Sequence, residues 1–130
     1  MNETKIPAKP RDAAAIILIK DATAENVEFC WARRSAKLNF LPNLQAFAGG
    51  KLETSDSETI VKNCGDAELS GLMACAAREM FEEIGVLLVR NGETLTKGQR
   101  ASLHDDLISG IMTFGEILEH WNLWLDADDF

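Results

Sequence analysis

"AAREMFEEIGV", residues 76–86, decides how the rest of the chain is read. Each residue of a helix turns about 100° from the one before. With Met73 at zero, Ala76, Ala77, Met80 and Ile84 fall within roughly 60° of it, one apolar face at helical spacing. Glu79, Glu82 and Glu83 share the flank beside that face. Like charges at these spacings repel by about 0.2–0.5 kcal/mol per pair. Clustered carboxylates suit hard divalent ions such as Mg2+ or Mn2+, and they also suit a solvated glutamate face. Arg78, four residues before Glu82, is placed to hold a carboxylate. The helix is predicted from about Ala67, capped by Asp66 or Ser70 and ended by Gly85.

Upstream lies "FAGGKLETSD", residues 47–56. Its adjacent glycines allow a tight bend and a close approach to a sheet, ligand or ion. Residues 51–66 between this stretch and the helix read as loop. Ala13–Ile19 reads as a buried strand, "DATAEN" as a turn and Val27–Arg34 as its hairpin partner. "SAKLNFLPN" reads as a loop, and "LQAFA" as a short strand that ends at Gly49 and Gly50. After the helix, Val86–Val89 reads as a strand. "LTKGQRASLHDDLISGI" and "TFGEILEHWNLWL" read as two helical pieces, with no strong strand signal after Val89. Residues 1–12, polar with Pro7 and Pro10, read as a flexible arm before a domain over 13–130.

The chain has 130 residues, enough for one domain with a core. It is 46% apolar and 26% charged, a globular rather than a disordered composition. The seven apolar residues Ala13–Ile19 are too few to span a bilayer. A net charge of −8 argues against a broad basic face for nucleic acid. The three cysteines, Cys30, Cys64 and Cys75, lack metal-ligand spacing and read as reduced thiols of a cytoplasmic protein.

"REMFEEIGV", Arg78–Val86, with "GGKLETSD" before it, resembles the signature of the Nudix hydrolases. Gly50 stands at the signature glycine and Asp56 where the first glutamate is expected. Between Asp56 and Arg78 lie 21 residues instead of the signature's seven, an insertion of fourteen assigned to residues 57–70. A surface-loop insertion costs only about 0.6 kcal/mol per doubling of loop length. The resemblance implies an α/β fold, a Nudix-like α/β/α sandwich with a mixed β-sheet. It implies Mg2+ or Mn2+ held by Glu79, Glu82, Glu83 and the Gly49 carbonyl. Glu82, Glu83 and Arg78 are the implied catalytic residues, and the implied reaction is hydrolysis of a diphosphate in a small nucleotide derivative.

"RRSAKLNFLPNLQAFAGG" is similar to the coenzyme A-hydrolysing branch, the peroxisomal type most of all. Arg34, Ser35, Phe47, Gly49 and Gly50 match, while Asn39, Asn43 and Ala48 replace an arginine, a glycine and a proline. The similarity implies coenzyme A or an acyl-CoA as substrate, with ADP-ribose or NADH as the alternative. A silent nucleotide- or protein-binding module is the rival reading. Arg33, Arg34, Lys37, Phe47, Gly50 and Lys51 are the candidate substrate contacts. The basic residues also read as the solvated end of a strand. Glu116 and Glu119 are candidate general bases. His104 and His120 read as surface or capping residues, and Cys75 as a small core residue or a low-pKa thiol near a helix start. The resemblance implies further strands after the helical pieces, hence a domain cut short whose exposed strand edges allow a homodimer.

Overall fold

The computed structural model describes residues 6–20, 25, 27–37 and 42–130. Most of the expected turn at 21–26 lies outside the described residues, as do residues 1–5 of the expected arm and residues 38–41 of the loop, Asn39 among them. Residues 6–12 are exposed and carry no helix or strand.

Three segments of chain pair with one another in turn. The first is β1 (Ala13–Ile16) and β2 (Leu18–Lys20), the second β3 (Glu28–Cys30) and β4 (Ala32–Arg33), the third β5 (Gln45–Ala46) and β6 (Ala48–Lys51). β1 pairs antiparallel with β6 (Ala15 opposite Gly49), β2 with β3 (Ile19 opposite Phe29) and β4 with β5 (Ala32 opposite Ala46). The expected strand 13–19 is therefore interrupted at Ile17. It is also half exposed rather than buried: Ile17 and Ile19 keep 51% and 52% of their surface. One face of the run is half-buried, and the other, with Ile17 and Ile19, is exposed. Phe29, Trp31 and Phe47 cluster on the same segments, ring centroids 5.6–6.2 Å apart.

Gly49 and Gly50 are not a turn. They lie inside β6 in extended backbone, and neither has a positive φ. They are small because of what approaches them. A Cβ on Gly49 would stand 2.7 Å from the Ala15 Cα, and one on Gly50 would collide with the Glu79 carboxylate.

Residues 51–66, expected as loop, fold. "ETSD" is a capping box: Glu53 and Asp56 exchange side-chain-to-backbone hydrogen bonds around α1 (Thr54–Glu58). β7 (Val61–Lys62) follows, with Val61 buried. The fourteen-residue insertion is thus ordered structure and part of the core, not a surface loop.

α2 (Ala67–Ile84) matches its predicted length and caps. The Asp66 carboxylate accepts from the Leu69 amide at 2.9 Å, and Gly85 closes the helix at φ 71°. Ala74 to Arg78 are all buried, so the middle of α2 is packed on every side. One side meets β1 and β6. The other meets α1 and α3 (Lys97–Ile108), above a core of Val61, Phe81, Leu103, Phe114, Ile117 and Leu125. α4 (Phe114–His120) is capped, like α3, by a threonine box. No helix among the described residues is long and apolar enough to cross a membrane.

Two strand expectations fail together. Residues 86–89 form no strand; Leu87 and Val89 pack on the core, and only Arg90 bridges to Trp124. A strand does form late: β8 (Leu125–Asp126) pairs parallel with β7, so the pairing is mixed. Asn63 Nδ2 fastens that pair by donating to both Asp126 oxygens at 3.0 and 2.9 Å.

Cys75 is fully buried beneath β6, its thiol directed at the Lys51 carbonyl 3.5 Å away. Burial, and then the charge of Asp56, push the thiol up to about 11 despite Arg78 nearby. It is a core residue and not a low-pKa thiol. Iodoacetamide at pH 8 is expected to alkylate exposed Cys30 in the folded chain and Cys75 only after denaturation, as read by peptide mass mapping. Rapid native labelling of Cys75 would contradict its placement.

Candidate functional site

The site is organised around Arg78, of which 2% is exposed. A buried guanidinium carries five N–H donors that must be satisfied. Nε and Nη2 donate to the two oxygens of Asp56 at 2.8 and 3.0 Å, a bidentate pair. Nη2 also donates to the Lys51 carbonyl at 3.1 Å. Nη1 donates to Glu79 Oε1 at 2.9 Å and to both Glu82 oxygens at 3.2 Å. Burial alone would lower the Arg78 pKa, but its hydrogen bond to Asp56 and the charges of Asp56, Glu79 and Glu82 raise it, so it stays charged.

The partners arrive from three elements. α1 presents Asp56, which is 1% exposed and also accepts from the Glu53 amide at 2.9 Å. The end of β6 supplies the Lys51 carbonyl, and α2 supplies the two glutamates. Arg78 therefore does hold Glu82, as the four-residue spacing predicts. Its bidentate tie to Asp56 is a contact the sequence reading missed. The capping-box spacing of Glu53 and Asp56 is the signal that would have revealed α1.

Arg78 alone does not balance the acids it touches. Asp56, Glu79 and Glu82 all touch Arg78, and Glu83 lies one residue beyond. Burial is the main cause that raises the Glu82 pKa, opposed by Arg78 and reinforced by the Glu79 and Glu53 charges. Burial and the Glu79 charge raise that of Glu83. A backbone hydrogen bond from Gly49, and then Arg34, pull Glu83 the other way. A carboxylate only accepts, so this contact runs through the Gly49 amide. Glu79 meanwhile sits over Gly50 in the space a side chain would fill.

The predicted residues thus divide. Gly49, Gly50, Arg34, Arg78, Glu79, Glu82 and Glu83 come together, with Lys51 contributing its carbonyl. Arg33 and Lys37 are exposed, and the Lys37 amide donates to Ser35 Oγ at 3.2 Å. Phe47 belongs to the aromatic cluster. Glu116 caps α4 through the Thr113 amide at 2.7 Å. It and Glu119 line a groove between α1 and α4, not the acidic flank. His104 on α3 faces the Glu82 carbonyl, Nε2 to O 3.0 Å.

Carboxylates and a backbone carbonyl are the donors a hard divalent cation prefers. Among the described residues, however, no group of three or more His, Cys, Asp or Glu is already arranged to hold a metal ion. Arg78 already engages oxygens of Glu79 and Glu82.

No model of a known protein family matches the chain. It is 29% identical over 115 residues to a Caenorhabditis elegans protein described as "Putative nudix hydrolase 7", covering 87% of this chain and 35% of that protein. It also matches the crystal structure of a Nudix hydrolase from Alicyclobacillus acidocaldarius. There the TM-score is 0.65 and the identity 30%, over 91% of this chain and 57% of that one. The chain therefore spans about a third of the curated relative and somewhat over half of the solved structure. The fold is the Nudix-like α/β/α sandwich with a mixed β-sheet.

Asp56→Ala leaves Arg78 buried beside a missing partner, which is expected to cost about 3–5 kcal/mol in urea unfolding. Adding Arg78→Met should return part of that loss; a double variant less stable than Asp56→Ala alone would contradict the pairing. Glu83 tests the sign of the acid surplus. Its folded pKa lies above the ordinary 4.5, so the folded chain binds more protons between those two values. Stability therefore falls as pH rises through that window, and the penalty is complete above it. Glu83→Gln should raise the urea midpoint of the cation-free chain at pH 7, by an amount that vanishes as pH falls to 4.5. A lower midpoint at pH 7 would contradict the surplus.

Proposed function

We propose that the chain is a Nudix-type hydrolase that cleaves a diphosphate linkage in a nucleotide-like substrate with the help of Mg2+ or Mn2+. The observation that carries this reading is the acid surplus around Arg78, with Glu83 brought against Gly49. A cation placed between Glu79, Glu82, Glu83 and the Gly49 backbone would relieve repulsion that the fold leaves uncompensated. When bound, such an ion neutralises charge on the phosphoryl oxygens. Arg78 keeps Glu79 and Glu82 on that flank. Arg34, drawn to Glu83, is the basic side chain best placed to meet a substrate phosphate.

Coenzyme A or an acyl-CoA is the proposed substrate. Support comes from the spacing of Arg34, Ser35, Phe47, Gly49 and Gly50, of which Arg34, Gly49 and Gly50 meet at the acidic flank. The three free cysteines fit a reducing, cytoplasmic setting. A module that binds nucleotide without turnover is the second reading, and the absence of a ready-made cation cluster among the described residues favours it.

With Mg2+ or Mn2+, the chain is expected to release 3′-phospho-AMP from coenzyme A faster than AMP from ADP-ribose or NADH. Chelation should stop the release, and Glu83→Gln should bring it below detection by chromatography. Inertness toward all three substrates with either ion would overturn hydrolysis. Nucleotide binding without turnover, unchanged in Glu83→Gln, would establish the second reading.

A further inference from the structure

The last carbonyls of a helix have no partner within it. α2 closes with the Gly85 amide donating to the Phe81 carbonyl at 3.0 Å, which leaves the Glu82 carbonyl among these orphans. It faces His104 Nε2 at 3.0 Å. A carbonyl only accepts, so Nε2 carries the hydrogen. The imidazole is oriented as well as bonded. Its ring stands edge-to-face against buried Phe81, centroids 5.3 Å apart. α3, which carries His104, is itself fixed at its start by the Thr96–Gln99 box, and one turn before His104 Arg100 donates to the Gly92 carbonyl at 2.6 Å. A cavity of about 440 Å³ lies between α3 and the end of α2, with Glu82, Glu83, Arg100 and His104 on its wall.

We infer that His104 is a positioning residue: it holds the last turn of α2, and through it the carboxylates of Glu82 and Glu83, in the arrangement that receives the cation. This rests on the functional reading above. Arg78 fixes the Glu82 side chain from the α1 side, while His104 fixes the backbone that carries it from the α3 side. Without the imidazole the final turn has no bonded partner for that carbonyl, and the Glu82 and Glu83 carboxylates it carries are held less firmly.

Two measurements on the full chain test this in His104→Ala and His104→Gln, a glutamine being able to donate the same bond. Mn2+ affinity is read by electron paramagnetic resonance with the metal alone, and opening of the helix end by hydrogen exchange at the Gly85 amide. His104→Ala should bind Mn2+ about tenfold more weakly. Its Gly85 amide should exchange about five- to tenfold faster. His104→Gln should restore both towards the original values. Unchanged exchange and affinity in His104→Ala would overturn the inference, as would faster exchange with unchanged affinity, which is the mark of a merely structural contact. Should the unaltered chain bind no Mn2+, the cation reading fails and the positioning role with it; Mn2+ binding in the unaltered chain together with unchanged Gly85 exchange in His104→Ala refutes the clamp alone.

Discussion

A guanidinium with almost no access to water must have its hydrogen bonds made by protein, and that requirement on Arg78 shapes the surrounding fold. Asp56 answers it most directly, and Asp56 is available only because "ETSD" coils into α1. The Lys51 carbonyl answers it next, which fixes where β6 ends. With α1, β6 and α2 tied to one side chain, the backbone of Gly49 and Gly50 has a single position against the helix. Any side chain at Gly50 would displace Glu79. Breaking such a buried pair at one end costs far more than replacing both partners, because the remaining charge is stranded. The inserted residues strengthen the arrangement: β7 reaches β8 and puts Val61 into the core under α2.

The same cluster is strained by charge. Asp56 neutralises Arg78, and Glu79 and Glu82 are then held beside a cation already paired. Glu83 is compensated by the Gly49 backbone and by Arg34, against burial and the charges of Glu79 and Glu82. A fold selected for stability alone has no reason to gather these carboxylates on one flank of a half-buried helix. Sites that bind ions do so, because the cost in the empty state becomes affinity in the loaded one.

How much of this the sequence revealed depended on where the information lies. α2 was legible in full, since its apolar spacing, Asp66 and Gly85 are local signals. The grouping of Glu79, Glu82 and Glu83 followed from helix geometry. The glycines were half legible: their closeness to another group was readable, but the extended backbone of β6 was not, because the reason for it is Ala15 and Glu79, distant in sequence. Val86–Val89 has strand composition and no strand partner, so packing on the core overrode propensity. Leu125 and Asp126 have little strand signal and gain their pairing from β7, sixty-four residues earlier in register. The bond from His104 to Glu82 joins two helices through one side chain and one carbonyl, and no spacing rule announces it.

The proposed cation site is tested most directly by anomalous diffraction from crystals soaked in Mn2+. The account predicts one strong peak bounded by carboxylate oxygens of Glu79, Glu82 and Glu83 and by the Gly49 backbone, with Arg78 still paired to Asp56. An empty acidic flank at saturating Mn2+, or a peak that forms only where the Arg78–Asp56 pair has come apart, would contradict it.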